Sequence, residues 1–299
     1  MKYRKLLQQA IDLHVHVGPE IIPRKFDLPT LLQSEKSKLK GIGIKNHFSA
    51  TVFMARPSLK NDSPTIVDSV TLNNYVGGFN ADIIYSSAQL SRWPIIVWFP
   101  TINAKQFLRD EENEIPSEWV GNIGKLVNRR ADEIDQLSVL SGTGKIRKDV
   151  IKVLEAIKNT DAILATGHIS WQESRELVKC AVNNYGIKRI IITHPIYQRI
   201  NMPILVQKEL ANMGAYIEQC YSMYSIDDIP IAKIAQQIRT LGAKSCILSS
   251  DVGQTFSKNP SEALADFILL LKKEGISKKE ILCMLIDNPL WLISPQENT

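Results

Sequence analysis

Short runs rich in valine and isoleucine recur eight times along this chain, separated by longer stretches of helical periodicity. The runs are IDLHVHV (11–17), GIGIKNH (41–47), TIVDSVTL (65–72), PIIVWFP (94–100), DAILATGH (161–168), RIIITHP (189–195), AYIEQC (215–220) and CILSSD (246–251). Alternation of this kind points to parallel β/α units. Eight of them are enough to close a sheet on itself, so the expected fold is α/β, a single (β/α)8 TIM barrel spanning residues 1–299.

Local signals support the alternation. Ser170 with Glu173 and Ser277 with Glu280 match the capping box, and Gly186 and Gly275 fall where helices should stop. In RKDVIKVLEAIKN, Val150, Ile151, Leu154 and Ile157 form the apolar stripe expected to lie against the barrel. The stretch 101–146 is too long for an ordinary connection and is read as an insertion between strands four and five. It holds a charged amphipathic segment (118–133) and a hairpin-like QLSVLSGTGKI, and it serves either as a lid or as a subunit contact.

Composition excludes several classes. No run of eighteen apolar residues appears, and the basic start has no apolar stretch before its first acidic residue, so a soluble cytoplasmic protein with no membrane partner is expected. The net charge of +5 is spread along helix-like segments, which gives no basis for nucleic-acid binding. The four cysteines, Cys180, Cys220, Cys246 and Cys283, form no C-x-x-C pair and read as core thiols. The glycine pairs at 77–78 and 142–144 fit no phosphate-binding loop, and no G-x-S-x-G elbow is present.

What remains is metal chemistry. Barrel enzymes place their active sites at the C-terminal ends of the strands, and four of the five histidines lie there. His14 and His16 are two apart on the first strand and so share a face; His168 ends the fifth strand, His194 the sixth, and Asp251 the eighth. Imidazoles with a carboxylate suit a divalent ion, zinc first, with manganese or iron as alternatives. Lys45 and His47 end the second strand on one face and can bind an anionic group or polarise a carbonyl. In the other reading Lys45 pairs with Glu20 and His47 caps a helix. Glu20 and Arg24 follow the first strand, and Arg24 is either an anchor for a substrate carboxylate or phosphate or a surface residue. Tyr197, Tyr221 and Tyr224 follow strands six and seven and either line the pocket or pack loops.

This order of ligands resembles the amidohydrolase superfamily. More narrowly, DLHVHVGPE, KNHFSAT, VGGFN, VWFPT, LATGHIS, THP, SSDVGQ and DNPLWL are similar to an uncharacterised amidohydrolase-related family. The resemblance covers nearly the whole chain and implies a barrel of the metal-dependent hydrolase type. Binuclear members take a bridging carboxylated lysine or glutamate from strand four, where this chain has WFPT. One ion is therefore favoured over two, held by His14, His16, His168 and Asp251, with His194 a further ligand or a proton donor. A carboxylated Lys45, or Glu218 on strand seven, would restore a bridge. KNH also resembles the corresponding TDH segment of the polymerase-and-histidinol-phosphatase phosphoesterases, with Asn46 in place of the aspartate.

The expected activity is hydrolysis of an amide, cyclic amide or ester in a small, anionic substrate by metal-activated water. Asp251 would be the acid-base group, with His194 and Lys45 stabilising the oxyanion. Glu20, Arg24, Lys45, His47 and Glu218 are the candidates for contact with substrate. The alternatives are a phosphoesterase or decarboxylase on the same frame, or a non-catalytic metal- or ligand-binding barrel. A homo-oligomer is compatible with the sequence.

Overall fold

The computed structural model describes residues 3–55, 62–120 and 129–295. Its barrel strands are β1 (Ile11–His16), β2 (Gly41–Lys45), β3 in two pieces (Thr65–Val67 and Ser69–Thr71, either side of Asp68), β4 (Ile96–Trp98), β5 (Ile163–Ala165), β6 (Ile190–Ile192), β7 (Tyr216–Cys220) and β8 (Cys246–Ser249). Every neighbouring pair is parallel, and β1 through β8 follow one another in chain order. The seam between β8 and β1 lies just beyond β8. There Asp251 donates its N–H to His14 O and His16 donates to Val252 O, both at 2.8 Å, so the fold is the (β/α)8 barrel that the eight runs imply.

Side chains sort into two layers. Ile11, Leu13, Val67, Ile96, Trp98, Ile163, Ala165, Ile191 and Ile247 fill the barrel interior. Val15, Val17, Ile44, Val97, Leu164, Ile192 and Leu248 face the surrounding helices. Simple alternation from Ile11 and Leu13 would carry Val15 and Val17 inward and turn both strand-one histidines out. A bulge prevents this. Between the pairs Asp12–Ile42 and Val15–Ile44, two β1 residues oppose the single Gly43, which reverses the phase and brings His14 and His16 inside.

The helix Asn288–Ile293 closes the lower end, placing Leu292 and Ile293 in the interior cluster. Arg189, 1% exposed, donates to the carbonyls of Trp291, Leu292 and Ser294 and pairs with Asp161, so that the carbonyls at the helix end meet a cation. Both expected capping boxes are present. The helix Lys148–Asn159 buries Val150, Leu154 and Ile157 as its periodicity implies, but also Val153 and Ala156, whereas Ile151 is only half-buried. In the insertion, Ser141 N–H bonds to Lys145 O, and Leu140 pairs with Ile146, as a small hairpin should. Of the amphipathic segment 118–133, residues 121–128 lie outside the described residues. Among the described residues no helix is long and apolar enough to cross a membrane.

At the bulge a side chain takes over from the backbone ladder. Asp12 Oδ1 accepts the N–H of Ser250 at 2.9 Å and that of His14 at 3.3 Å, while its Oδ2 is buried without a partner. Burial pushes this carboxyl from 3.8 up to about 7, against the pull of those hydrogen bonds. The folded value is the higher one, so the stabilising contribution is whole below about pH 4 and fades as pH rises to about 7. Asp12→Asn keeps the acceptor and removes the charge. It should therefore gain stability relative to wild type, by up to a few kcal/mol, between pH 4 and 8. Asp12→Ala strands two N–H groups and should lose about 1–3 kcal/mol. Denaturant melts of the metal-free chain at pH 5 and pH 8 check both; a difference between wild type and Asp12→Asn that ignores pH counts against this account.

Candidate metal centre

His14 is held from behind. Glu218, fully buried on β7, places both carboxylate oxygens 3.2 Å from His14 Nδ1, so this nitrogen carries the proton and Nε2 presents a lone pair. That Nε2 lies 3.1 Å from Asp251 Oδ1 and 3.0 Å from Lys45 Nζ. His16 Nε2 lies 3.0 Å from the same Asp251 Oδ1, and Arg24 Nη2 donates to His16 Nδ1 at 3.2 Å.

Asp251 reaches this point through a left-handed backbone, φ 53°, and its other oxygen accepts the Ser222 hydroxyl at 2.7 Å. A non-glycine residue in that region is strained, and such strain clusters at functional sites. Gly253 follows because a Cβ there would sit 2.3 Å from His16 O. Gly167, φ 62°, lets the turn before His168 pass Phe99 O, which a Cβ would approach to 2.1 Å. His168 and His194 stand opposite with ring centroids 5.1 Å apart, and His194 Nε2 is 4.0 Å from Asp251 Oδ2. The Nδ1 atoms of both are buried without a partner.

Electrostatics favour neutral imidazoles beside an ionised carboxylate. Burial, reinforced by nearby cations and imidazoles, holds His16, His47 and His168 well below the usual histidine value. Burial also brings His194 to about 4, although Asp251 and Glu218 oppose it. Burial works against the Asp251 charge, but His14, His16 and His194 outweigh it and hold the carboxyl well below 3.8. Glu218 is likewise lowered, its burial outweighed mainly by His14. Lys45 is brought to about 8 by burial, with its ammonium 4.4 Å from the centre of the Trp98 ring.

The donors fit a divalent ion. His14, His16 and Asp251 place ligand atoms within 4.8 Å of one another, all buried. Ligands at about 2.0–2.1 Å from one tetrahedral ion are about 3.3 Å apart, a few tenths of an ångström more than the 3.1 and 3.0 Å that separate the two Nε2 atoms from Asp251 Oδ1. The unpartnered nitrogens of His168 and His194 add buried polar atoms that such a site can use.

A cavity of about 30 Å³ opens on this cluster, lined by His16, Arg24, His47, His168, His194 and Asp251 among others. Three of the expected substrate-contact residues lie behind its wall. Glu20 spends its carboxylate on Arg24 Nε and the His47 N–H, Glu218 holds His14, and Lys45 sits between His14 and Trp98. Glu20 therefore pairs with Arg24, and Lys45 with His14. Tyr197 lines the cavity; Tyr221 and Tyr224 do not.

Ser222 and Trp119 are among the lining residues that escaped sequence reasoning. Ser222, just past β7, was hidden among polar loop residues, and the charged segment around Trp119 gave no sign of its target. Trp119 stacks on His47 with centroids 5.7 Å apart and planes 11° apart, so the insertion reaches the mouth at this residue. Arg199 pins it there by pairing with Glu118 at 2.8 Å and with Glu111.

Comparison with known proteins agrees with this architecture. Solved structures that share the fold include an amidohydrolase from Pseudomonas aeruginosa (TM-score 0.62, 10% identity, 98% of each chain covered). A probable dipeptidase from Pseudomonas aeruginosa gives TM-score 0.61 and 9% identity, over 97% of this chain and 98% of that one. A dihydroorotase from Campylobacter jejuni gives 0.51 and 11%, over 97% and 84%. Identities this low show the fold alone. No curated protein matches the chain in sequence. Residues 9–218 match the model of a family of unknown function, DUF6282. The chain therefore belongs to that family of unknown function.

Proposed function

We propose that this chain is a metal-dependent hydrolase that cleaves an amide, cyclic amide or ester bond in a small, anionic substrate. The observation that carries the reading is the meeting of His14 Nε2 and His16 Nε2 on one oxygen of Asp251, at 3.1 and 3.0 Å, beside the unpartnered nitrogens of His168 and His194. Two structures sharing the fold bear names for amide cleavage, amidohydrolase and dipeptidase, which is the bond type proposed.

His14, His16, His168 and Asp251 would hold one ion, zinc by the nature of the donors, with His194 a further ligand or a proton donor. When bound, the ion supplies Lewis acidity that polarises a substrate oxygen and acidifies water. One ion is favoured because β4 presents Trp98 where a bridging ligand would be needed, and Glu218 is committed to His14. Asp251, ionised and steadied by Ser222, takes the proton of the attacking water and returns it to the leaving group. Arg24 meets an anionic group of the substrate from the cavity wall.

Elemental analysis should find one divalent ion per chain in the wild type and depletion in His14→Ala, His168→Ala and Asp251→Asn. Full retention in the two histidine variants would sink the site, and two ions per chain would reject the mononuclear reading. Glu218→Gln weakens the partner of His14 Nδ1 without touching the ligand atoms. Competition with a chelating dye should then show affinity for zinc reduced about 10- to 100-fold at unchanged stoichiometry; unchanged affinity would remove Glu218 from this role.

A further inference from the structure

His16, Glu20 and His47 form a second buried group whose potential ligand atoms lie within 4.8 Å of one another. Read as a list of residue types, it is a second metal site. The hydrogen bonds around it exclude that reading. Asn73 is oriented without ambiguity, because its Oδ1 accepts the Thr101 N–H at 2.9 Å and its Nδ2 donates to His47 O at 3.0 Å. The second Nδ2 hydrogen goes to Thr101 Oγ1 at 2.8 Å. Thr101 Oγ1 is also 2.8 Å from His47 Nδ1, and among the described residues its hydroxyl hydrogen has no other acceptor. A buried hydroxyl left without an acceptor is costly, so Thr101 donates to Nδ1. A neutral His47 then carries its proton on Nε2.

We infer that His47 is a fixed hydrogen-bond donor, offering Nε2–H to a carboxylate or carbonyl oxygen of the substrate, with Thr101 and Asn73 as the positioning residues that set its tautomer. The rest of the group agrees. Glu20 is occupied by Arg24 and by the His47 N–H at 2.7 Å, so it has no free charge for an ion. Arg24 and His47 both line the cavity, and together they make one wall of it a surface of donors. Trp119, stacked on the imidazole, fixes the plane of the ring and keeps water from one face. The Asp251 carboxylate lines the same cavity, and its charge turns an oxygen acceptor of the substrate towards His47 and Arg24.

The donor role rests on the cavity being the reaction site, whereas the tautomer belongs to the metal-free chain and stands or falls separately. Long-range proton–nitrogen correlation spectra of the 15N-labelled full chain read it directly, with His47 assigned by its loss in His47→Gln. The wild type should show the Nε2–H form, and its proton should move downfield on titration with acetate. Thr101→Ser should keep that form, and Thr101→Val should let Nδ1–H appear. Zinc content should be unchanged in His47→Gln. An Nδ1–H tautomer in the wild type, a proton unmoved by acetate, a Thr101→Val spectrum identical to wild type, or zinc lost in His47→Gln would each overturn the proposal. A wild type that takes up no zinc but shows the expected tautomer would instead overturn the hydrolase reading alone.

Discussion

Two backbone hydrogen bonds, from Asp251 to His14 and from His16 to Val252, join the last strand end to the first. They close the barrel, and the same contact sets the Asp251 carboxylate against two imidazoles. Fold and site are thus secured by one seam, and the left-handed turn at Asp251 is held where it is by that pairing. Asp12, buried within the seam, accepts an N–H from each side of it.

From the seam outward each polar group determines the next. Glu218 accepts the N–H of His14 Nδ1 and so leaves Nε2 free; Arg24 faces His16 and is itself held by Glu20; Glu20 in turn accepts the His47 main-chain N–H. Such a network has few alternative arrangements, because each buried donor or acceptor left over would cost about 1–3 kcal/mol. Preorganisation of this kind suits a site that collects several neutral imidazoles around a carboxylate.

Much of this was legible in the sequence because it depends on local pattern. Eight apolar runs mark eight strands, and Ser170 with Glu173 announces a helix start on its own. The strand-end positions of His14, His16, His168, His194 and Asp251 follow from counting to the end of each run, and the structure brings all five to one mouth. What failed to show was long-range. That Glu20 would pair with Arg24 rather than Lys45, that Glu218 would stand behind His14, and that Trp119 would stack on His47 are facts of three-dimensional proximity without a periodic signature. The half-buried Ile151 and buried Val153 show the same limit on a smaller scale: the stripe was visible, but its edges were set by what packs against it.

The bulge in β1 makes the chemistry of this barrel depend on a count. His14 and His16 face inward because one additional residue separates them from the packing phase of Ile11 and Leu13. Their identity alone does not suffice. The same β1 sequence paired without the bulge would keep every histidine and still line the mouth with valine. A relative could therefore retain all the residues of such a motif and yet present a different interior, so that pairing register, as much as residue type, marks which members of a family share this site.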